Sequence, residues 1–343
     1  MERGLLPYDF YRLIDSTARL SDFECHNRAA IPRLWSARGT SNIGGMIADT
    51  GSDAELETAS TIFAEVRSRL FGIAYRMLGS VSEAEDIVQE TWVRWQTCDR
   101  STVRNAPAFL ATTATRLAIN VGQSARVRRE TYVGPWLPEP VDTSADPELG
   151  AVRGEALELA VLLILEKLSP TERAAYVLRQ AFDYPYEQIA EIIQQTEANA
   201  RQLVSRARKR LAEEKRATVS VTEQRHLLEA FLVAARTGNL AALEALFAAD
   251  VVSYSDGGGK VRASKFPVVG RERVAKYYRA FAARFWDGVD TEPFMANGRP
   301  SARLARDGVV FAVVTLTASA DGIDRLLWTM NPDKLSGVAR VGG

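Results

Sequence analysis

The chain has 343 residues with 43 basic and 43 acidic side chains, so its formal net charge is zero, and 46% of its residues are hydrophobic. This composition is typical of a soluble protein of two or three globular domains, and it excludes a disulfide-rich scaffold because only two cysteines are present. The longest strongly apolar run, Leu159–Leu165, is too short for a membrane-spanning helix, which needs roughly 20 residues. We therefore expect a cytoplasmic protein whose affinity for nucleic acid, if any, comes from local segregation of charge.

Residues 1–52 show no sustained hydrophobic period and carry no secretory signal pattern. We expect this segment to be a flexible N-terminal extension. Met46 stands just before the first patterned segment. We therefore expect the residues before it to be dispensable, or to result from an upstream start site.

Three amphipathic helices are predicted in a first domain over residues 53–134. The first helix begins near Glu57 and ends at Gly79. Ser82 and Glu85 have the spacing of a capping box, which predicts the start of the second helix. This helix has a polar face on the side opposite to its apolar stripe, a pattern that most often indicates a solvated surface. The polar face contains Asp86, Gln89 and Glu90.

The third helix is predicted from near Pro107 to Ala125, and it ends in a run of basic residues. The loop before it, residues 97–106, contains Arg104 and Asn105. The helix combines a buried stripe with a basic and polar surface. That surface consists of Arg116, Asn120, Gln123, Arg126, Arg128 and Arg129.

Residues 135–154 are rich in proline and acidic side chains, which predicts a stiff linker. Its WLPEP sequence contains Trp136, Leu137 and Pro138. Because an indole ring is costly to leave in water, we expect this part of the linker to dock on a neighbouring surface. Such docking either only covers an adjoining domain or contributes to function, and the sequence leaves both open.

A second helical domain is predicted over residues 155–218. A strongly apolar helix is expected at 155–168, and Ser169 with Glu172 forms a capping box for the next helix. Residues 186–211 have the pattern of a helix-turn-helix, with Thr196 placed to cap its second helix.

The second helix of this motif carries its cations on the outward face. Early positions of such a helix reach base edges in the major groove, whereas later cations contact phosphates. The predicted base contacts are Arg201, Gln202, Ser205 and Arg206. The predicted phosphate contacts are Arg208, Lys209 and Arg210. The simpler alternative is a surface helix that is merely solvated by its arginines.

Residues 219–343 combine amphipathic helices with alternating, strand-like segments. Helices are predicted at 226–236, 239–247 and 271–285, and strands at 251–255, 303–306, 309–318 and 324–330. Turns are marked by Asn297-Gly298, Asp307-Gly308 and Asp321-Gly322. Helices followed by hairpins predict an α+β domain with a curved sheet.

Segments in two separated parts of the chain resemble a known family. The sequence DIVQETWVRW at 86–95 is followed by LSPTERAAYVLR at 168–179 and by the helix-turn-helix at 186–211. In this order they resemble bacterial sigma factors of the extracytoplasmic-function group, over about residues 57–215. The resemblance implies two all-α sigma domains and a protein that binds core RNA polymerase to direct promoter-specific transcription initiation. It implies no nucleotide or other cofactor, and the chain has no GxxxxGK[ST] phosphate loop.

The resemblance also assigns roles to residues. It implies that Asp86, Gln89 and Glu90 contact the coiled-coil clamp of the largest polymerase subunit. Arg104 and Asn105 would hold an unstacked base of the promoter −10 element, and the basic surface of the third helix would line the path of the strand. The helix-turn-helix would bind the −35 element. Asn120 stands where the family usually has aspartate, and Gly122 interrupts a helix that is often uninterrupted, which affects the −10 preference and not the class.

Three short signatures extend the resemblance: WLPEP at 136–140, DGGGK at 256–260 and NPDKL at 331–335. They resemble the subgroup of these sigma factors that carries a fused SnoaL-like domain, the cone fold shared by polyketide cyclases and nuclear transport factors. This implies that the domain regulates the sigma domains in cis. We expect the last signature to pack near the linker or near the interface between the sigma domains. Its residues are Asn331, Pro332, Asp333, Lys334 and Leu335.

A cone domain also offers a cavity for a small apolar ligand or substrate. Its candidate lining residues are Tyr254, Tyr277, Tyr278, Trp286 and Trp328, although aromatic residues at such spacing are more often core. His226 is a poor general base, and Asp256 is the better acid–base candidate. A role for Asp256 in the geometry of its glycine-rich turn is simpler still. We therefore expect a regulator or sensor that is not an enzyme.

Two alternatives remain beside the sigma factor. A freestanding helix-turn-helix regulator with a ligand-sensing domain accounts for residues 186–211 and for the cone, but not for the segment at 86–95. An enzyme of the cyclase type with secondary DNA binding is the other. The expected partners are core RNA polymerase, promoter DNA and an unidentified small ligand, with no metal and no membrane.

Overall fold

The structure is a computed structural model that describes residues 50–144, 157–214 and 217–338. The expectations for residues 1–49, including Met46, and for linker residues 145–154 lie outside these described residues. The first helix begins at Thr50, inside the segment predicted to be an extension. Within the described ranges, no helix is long and apolar enough to span a lipid bilayer.

The helices of the described chain form three groups. The first group is α1 (Thr50–Leu78), α2 (Val81–Thr97) and α3 (Ala106–Glu130). The second is α4 (Leu159–Leu165), α5 (Pro170–Phe182), α6 (Tyr186–Ile193) and α7 (Glu197–Glu214). The third is α8 (Val221–Thr237), α9 (Leu240–Leu246) and α10 (Arg271–Phe285). The third helix therefore runs beyond its expected end at Ala125, and α4 is shorter than its expected span.

The start of α2 differs from the predicted capping box at Ser82 and Glu85, which is wrong. Ser80 is the N-cap: its backbone is extended (φ −127°, ψ 130°) and its hydroxyl accepts a hydrogen bond from the Glu83 amide at 3.3 Å. Gly79 has a φ of +66° and ends α1, so the chain reverses within two residues. Ser82 consequently lies inside the helix that it was expected to cap.

The helix-turn-helix has the predicted form. Gln194 adopts the left-handed conformation (φ 55°) that ends α6 and allows the tight turn. The Thr196 hydroxyl accepts a hydrogen bond from the Asn199 amide at 3.2 Å, which confirms its capping position. The capping box of Ser169 and Glu172 at the start of α5 is also confirmed.

The first two helical groups share one hydrophobic core. Leu70 and Met77 of α1 are buried together with Leu178 of α5 and Ile189 of α6. The contact is polar as well, because the buried Arg173 of α5 donates a hydrogen bond to the Met77 carbonyl at 2.6 Å. The two units that the sequence predicts as separate domains are therefore packed on each other.

The C-terminal domain contains a mixed sheet of six strands in the order β2-β1-β6-β5-β4-β3. The strands are β1 (Phe247–Asp256), β2 (Val268–Val269), β3 (Asp290–Ala296), β4 (Arg299–Arg306), β5 (Val309–Ser319) and β6 (Gly322–Thr329). Strands β1 and β6 are parallel, and the other neighbours are antiparallel. Helices α8 to α10 pack their apolar faces against the sheet through a core that includes Phe231, Val274 and Leu326.

The hairpin turns occur where the sequence predicts them. Asn297 and Gly298 both have positive φ (53° and 73°), as do Asp307 and Gly308 (51° and 75°), so both two-residue turns suit the twist of the flanking strands. Strand β3 was not predicted because Pro293 interrupts its pattern. Proline is tolerated there because β3 is an edge strand.

Candidate nucleic-acid interface and its internal contacts

The outward face of α7 carries all seven side chains predicted to contact DNA, and each of them is exposed. The opposite face, which includes Ala200 and Val204, is buried in the helical core. A helix that buries one face and presents cations and amides on the other can enter a major groove about 12 Å wide. The structure therefore presents the predicted recognition surface to solvent.

Several of these cations already have protein partners. Arg201 pairs with Glu197, and its guanidinium lies 4.4 Å from the centre of the Tyr186 ring. Arg206 Nε lies 3.2 Å from a Glu172 carboxylate oxygen. Because exposed ion pairs contribute little, about 0–1 kcal/mol, DNA phosphates can replace these partners.

On and before α3, most of the predicted strand-binding side chains are also exposed. These are Arg104, Asn105, Asn120, Gln123, Arg126 and Arg128. Asn105 has a structural role that the sequence argument missed, because its side-chain oxygen accepts a hydrogen bond from the Ala108 amide at 3.1 Å and caps α3. Arg128 forms an ion pair with Glu83 of α2.

Two predicted DNA-binding cations are instead engaged inside the protein. Arg116 donates from Nε to the Ile192 carbonyl at 3.0 Å and from Nη2 to the Glu191 carbonyl at 2.9 Å. Both carbonyls lie in the last turn of α6, where the Glu191 carbonyl also accepts a hydrogen bond from the Gln194 amide at 3.3 Å, so the planar guanidinium of α3 adds to the bonds that close this end of α6. In this arrangement Arg116 joins the two helical units and does not line an open path for DNA.

Arg129 is the second such cation. It pairs with Glu166, donates to the Leu78 carbonyl and stacks 3.6 Å from the centre of the Trp136 ring. Burial, reinforced by the charge of Arg173, lowers the pKa of Arg129 to about 9. In this structure the linker covers Arg129, and its contact with the promoter strand stays a prediction.

The predicted polymerase contacts lie on α2. Asp86, Gln89 and Glu90 are exposed, on the side opposite to the buried Ile87 and Val88. Glu90 accepts a hydrogen bond from Arg94 Nε at 2.8 Å, an exposed pair one helical turn apart. The three side chains thus form a polar face that a partner protein can reach.

The three short signatures meet at Asp256, in a group of residues that we name the Asp256 cluster: Tyr132, Trp136, Leu137, Asp256, Asn331 and Lys334. Asp256 is fully buried. One of its oxygens accepts hydrogen bonds from the Tyr132 hydroxyl at 2.6 Å and from the Gly258 amide at 3.1 Å. The other accepts from the Leu137 amide at 2.9 Å and from Lys334 Nζ at 2.7 Å. Since all its bonding capacity is used internally, Asp256 is not placed to act as an acid–base group.

Lys334 completes the cluster from the C-terminal signature. Its ammonium also donates to the Leu137 carbonyl at 2.6 Å and lies 4.2 Å from the centre of the Trp136 ring. Burial lowers the pKa of Lys334, and the nearby Asp256 carboxylate opposes that shift. Asn331 donates to the Tyr132 hydroxyl at 2.9 Å. The linker indole is therefore held between two cations, Arg129 and Lys334.

The other residues of the two signatures have different positions. Pro138 is buried near Gly79. Trp136 packs on the same glycine, because a Cβ added at Gly79 would lie only 2.8 Å from the indole ring. Leu335 is buried against Phe294. The exposed residues of the last signature are Pro332, which begins a short 3₁₀ turn, and Asp333, which pairs with Lys260 at 2.6 Å.

Sequence reasoning missed Glu139 of the linker. This buried carboxylate accepts hydrogen bonds from the Ser80 hydroxyl and the Val81 amide, both at 2.8 Å, so it binds the start of α2. The Tyr75 hydroxyl donates to the Glu139 carbonyl at 2.5 Å. The signal was the acidic residue inside WLPEP, but the distance of about 60 positions to its partners gave no means of pairing them.

A second missed contact is made by the predicted hairpin turn at Asn297. Its buried side chain donates to the Tyr75 hydroxyl at 2.7 Å and to the Leu157 carbonyl at 3.0 Å, and accepts from the Val141 amide at 2.9 Å. Next to it, Arg299 pairs with Glu158 at 2.5 Å. One turn of the C-terminal domain thus contacts both helical units and the linker.

Four of the five predicted cavity aromatics do line a cavity of about 700 Å³ in the C-terminal domain: Tyr277, Tyr278, Trp286 and Trp328. Tyr254 instead packs with Leu137 of the linker and Leu159 of α4. His226 is exposed on α8, away from this cavity.

Comparison with known proteins agrees with this architecture. Residues 62–131 match Sigma-70 region 2, and residues 158–211 match Sigma-70 region 4. The ECF RNA polymerase sigma factor SigJ of Mycobacterium tuberculosis is 34% identical over 289 residues, covering 80% of this chain and 92% of SigJ. The probable ECF sigma factor SigI of the same organism is 29% identical, with 81% and 95% covered. The crystal structure of SigJ superposes with a TM-score of 0.66 at 31% identity, over 81% of this chain and 98% of that one.

The chain therefore belongs to the RNA polymerase sigma factors, as a member of the extracytoplasmic-function group. It is a DNA-binding transcription factor that directs initiation with core RNA polymerase at promoters. A freestanding helix-turn-helix regulator is not favoured, because region 2 is present as well as region 4. The six-stranded C-terminal domain is part of the match to the SigJ structure, which the whole described fold resembles.

Proposed function

We propose that this sigma factor is regulated in cis by its C-terminal domain, which we assign as a SnoaL-like cone domain. In this proposal the C-terminal domain holds regions 2 and 4 together until a signal releases them. The proposed units are an N-terminal extension (1–52), the region 2 domain (53–134), the linker (135–154), the region 4 domain (155–218) and the regulatory domain (219–343).

The observation that carries the proposal is the Asp256 cluster. The fully buried Asp256 carboxylate of the C-terminal domain accepts hydrogen bonds from the Tyr132 hydroxyl, in the segment that follows α3, and from the Leu137 amide of the linker. A buried carboxylate is costly to leave without partners, so separating these elements requires water or a new partner to replace both bonds. We name the arrangement in this structure, with region 2, region 4, the linker and the C-terminal domain packed together, the closed arrangement. The Asp256 cluster therefore favours the closed arrangement.

The internal roles of two cations give a second argument. Arg116 and Arg129, which the family resemblance assigns to the promoter strand, are bound to region 4 carbonyls and to the linker indole. DNA has to compete with these contacts for the same guanidinium groups. Closure and capture of the −10 strand are thus mutually exclusive at these two residues.

The separation of the promoter elements gives a third argument for an opening step. Elements centred near −10 and −35 lie roughly 25 base pairs apart, or about 85 Å at 3.4 Å per base pair. In the closed protein, Arg116 of region 2 touches the helix-turn-helix directly. A fully extended chain spans at most about 3.6 Å per residue, so the linker of about 20 residues can extend to about 70 Å. Together with the width of the two domains, this length allows both promoter elements to be reached after opening.

The open protein would then use its exposed faces. We assign Asp86, Gln89 and Glu90 to the polymerase, and Arg104 and Asn105 to the unstacked −10 base. The strand path is assigned to Asn120, Gln123, Arg126 and Arg128, joined by Arg116 and Arg129 once these are released. We assign Arg201, Gln202, Ser205 and Arg206 to the bases of the −35 element, and Arg208, Lys209 and Arg210 to its phosphates.

Transcription reconstituted with core polymerase tests the regulation. Removing residues 332–343 deletes Lys334 and should raise promoter-specific transcript yield at limiting protein, because the closed arrangement loses its cation. The matched control removes only residues 339–343 and keeps every contact of the Asp256 cluster. Unchanged yield from the longer deletion, or reduced yield with polymerase binding intact, would contradict the proposal.

A further inference from the structure

The C-terminal domain contains a cavity of about 700 Å³ that is open to solvent on one side and that the contacts between domains do not use. This volume lies within the range of small-molecule sites, about 300–1,000 Å³. Helix α10 and the ends of β1 and β6 form its walls. The inner wall is aromatic and includes Tyr277, Phe285, Trp286 and Trp328. Two buried residues with hydroxyl groups, Tyr278 and Ser255, also line it. The Tyr278 hydroxyl is already bonded to Ser253 at 2.6 Å and to the Trp328 indole at 2.7 Å, so the wall offers a mainly apolar surface.

The mouth of the cavity is cationic. Arg262, Arg284 and Arg306 line it, and no carboxylate from the described part of the chain does. Arg306 is fixed by hydrogen bonds to the carbonyls of Phe285 and Asp287. Within the described residues, Arg262 and Arg284 form no hydrogen bond and no ion pair, and both are exposed. Two guanidinium groups without a counter-ion at the edge of an apolar cavity are suited to a carboxylate.

We propose that this cavity binds an apolar monocarboxylate, with the hydrocarbon body against the aromatic wall and the carboxylate at Arg262 and Arg284. The cavity size and the aromatic wall select the body of the ligand. The excess of positive charge selects an anion over a neutral or cationic compound.

The ligand site adjoins the Asp256 cluster. Ser255 and Met330 line the cavity and precede Asp256 and Asn331 directly in the chain. The loop that carries Arg262 also lies against the segment that follows α3: a Cβ added at Gly259 would lie 3.2 Å from Val133. A ligand that holds this loop therefore stabilises the closed arrangement and acts as a co-repressor. This direction of the effect rests on the proposed regulation in cis.

Calorimetry on the full chain tests the site, with 2-naphthoate as the probe and its uncharged methyl ester as the matched ligand. Naphthoate should bind saturably and the ester at least tenfold more weakly, since each charge-assisted hydrogen bond lost weakens binding by about tenfold or more. The double substitution Arg262→Gln and Arg284→Gln should reduce naphthoate affinity by a similar factor. The control Arg273→Gln, an exposed arginine of α10 outside the lining, should leave it unchanged.

A cavity-filling substitution, Ala280→Trp at the exposed side of the lining, provides a test that does not alter charge. It should abolish naphthoate binding. Equal affinity of acid and ester, insensitivity to the arginine double substitution, or full binding by the filled variant would overturn the proposal.

Reciprocal linkage tests the co-repressor role. Tyr132→Phe, which weakens the Asp256 cluster, should lower naphthoate affinity several-fold, and naphthoate should lower transcript yield. Equal naphthoate affinity in Tyr132→Phe would overturn the coupling. If the wild type did not bind naphthoate while the 332–343 deletion still raised transcription, the ligand site would be wrong and the regulation in cis would stand.

Discussion

The substitution Tyr132→Phe isolates the contact between region 2 and the C-terminal domain. It removes one hydroxyl, which donates to Asp256 at 2.6 Å and accepts from Asn331 at 2.9 Å. The ring is kept, together with its contact to the Lys334 ammonium, whose Nζ lies 5.0 Å from the ring centre. The variant therefore changes hydrogen bonding between the domains without opening a cavity.

The size of the effect follows from the charge of the acceptor. A hydrogen bond to a buried carboxylate contributes about 1.5–3 kcal/mol, and a value near 2 kcal/mol corresponds to roughly thirtyfold in an equilibrium constant. The Tyr132 hydroxyl and the Asp256 carboxylate are in contact only in the closed arrangement. We therefore expect the population of the open arrangement to rise roughly thirtyfold, while the melting temperature of each domain changes little.

Amide hydrogen exchange measures this opening directly. The Leu137 amide donates to Asp256, so peptides covering residues 133–141 should exchange roughly thirtyfold faster in the variant. Tyr277→Phe, which removes a tyrosine hydroxyl from the cavity wall and not from the Asp256 cluster, should leave these peptides unchanged. Equal exchange in Tyr132→Phe and wild type would refute the inference that the cluster holds the linker.

Three other predictions follow from the same contacts. The double substitution Arg201→Ala and Arg206→Ala should weaken binding to the −35 element by about 1–3 kcal/mol per lost base contact, measured by footprinting with holoenzyme, and unaltered protection would contradict the assignment. If about six phosphates are neutralised, promoter affinity should fall about a thousandfold between 50 and 200 mM salt, whereas a flat response would exclude this interface. Gly79→Ala and Gly308→Ala both place a side chain at positive φ, but only the Cβ added at Gly79 would lie 2.8 Å from the Trp136 ring. Only Gly79→Ala should therefore speed amide exchange of the linker peptides, and equal effects of the two substitutions would argue against a packed indole.

The sequence predicts well those features that depend on neighbouring residues. The hairpin turns at Asn297 and Asp307 follow from side chains that tolerate positive φ, and the recognition helix follows from its apolar spacing. The start of α2 was predicted wrongly because two candidate serines lie near it. Ser80 is selected by its extended backbone directly after Gly79, and its hydroxyl is also bonded to Glu139 of the linker, a contact that the local pattern does not show.

Long-range contacts could be predicted only in part. The signatures indicated that the linker and the last segment meet, but not that Asp256 joins them or that its carboxylate is saturated. Asn297 was interpreted as a turn residue only, although its side chain also binds Tyr75. A polar residue that is buried by another domain has the same local pattern as an exposed one, so the sequence alone does not distinguish the two.

Energy transfer between regions 2 and 4 tests the central claim, that the protein is closed when free and opens to initiate transcription. Glu65 and Gln188 are exposed, and Gln188 lines the same cavity as Val66, the residue that follows Glu65. Dyes at cysteines introduced at these two positions, in a chain without Cys25 and Cys98, therefore start within the width of one small cavity and its walls. We expect high transfer in the free protein and near loss of transfer in the initiating complex with core polymerase and promoter DNA. High transfer in a complex that is making transcript would contradict the account.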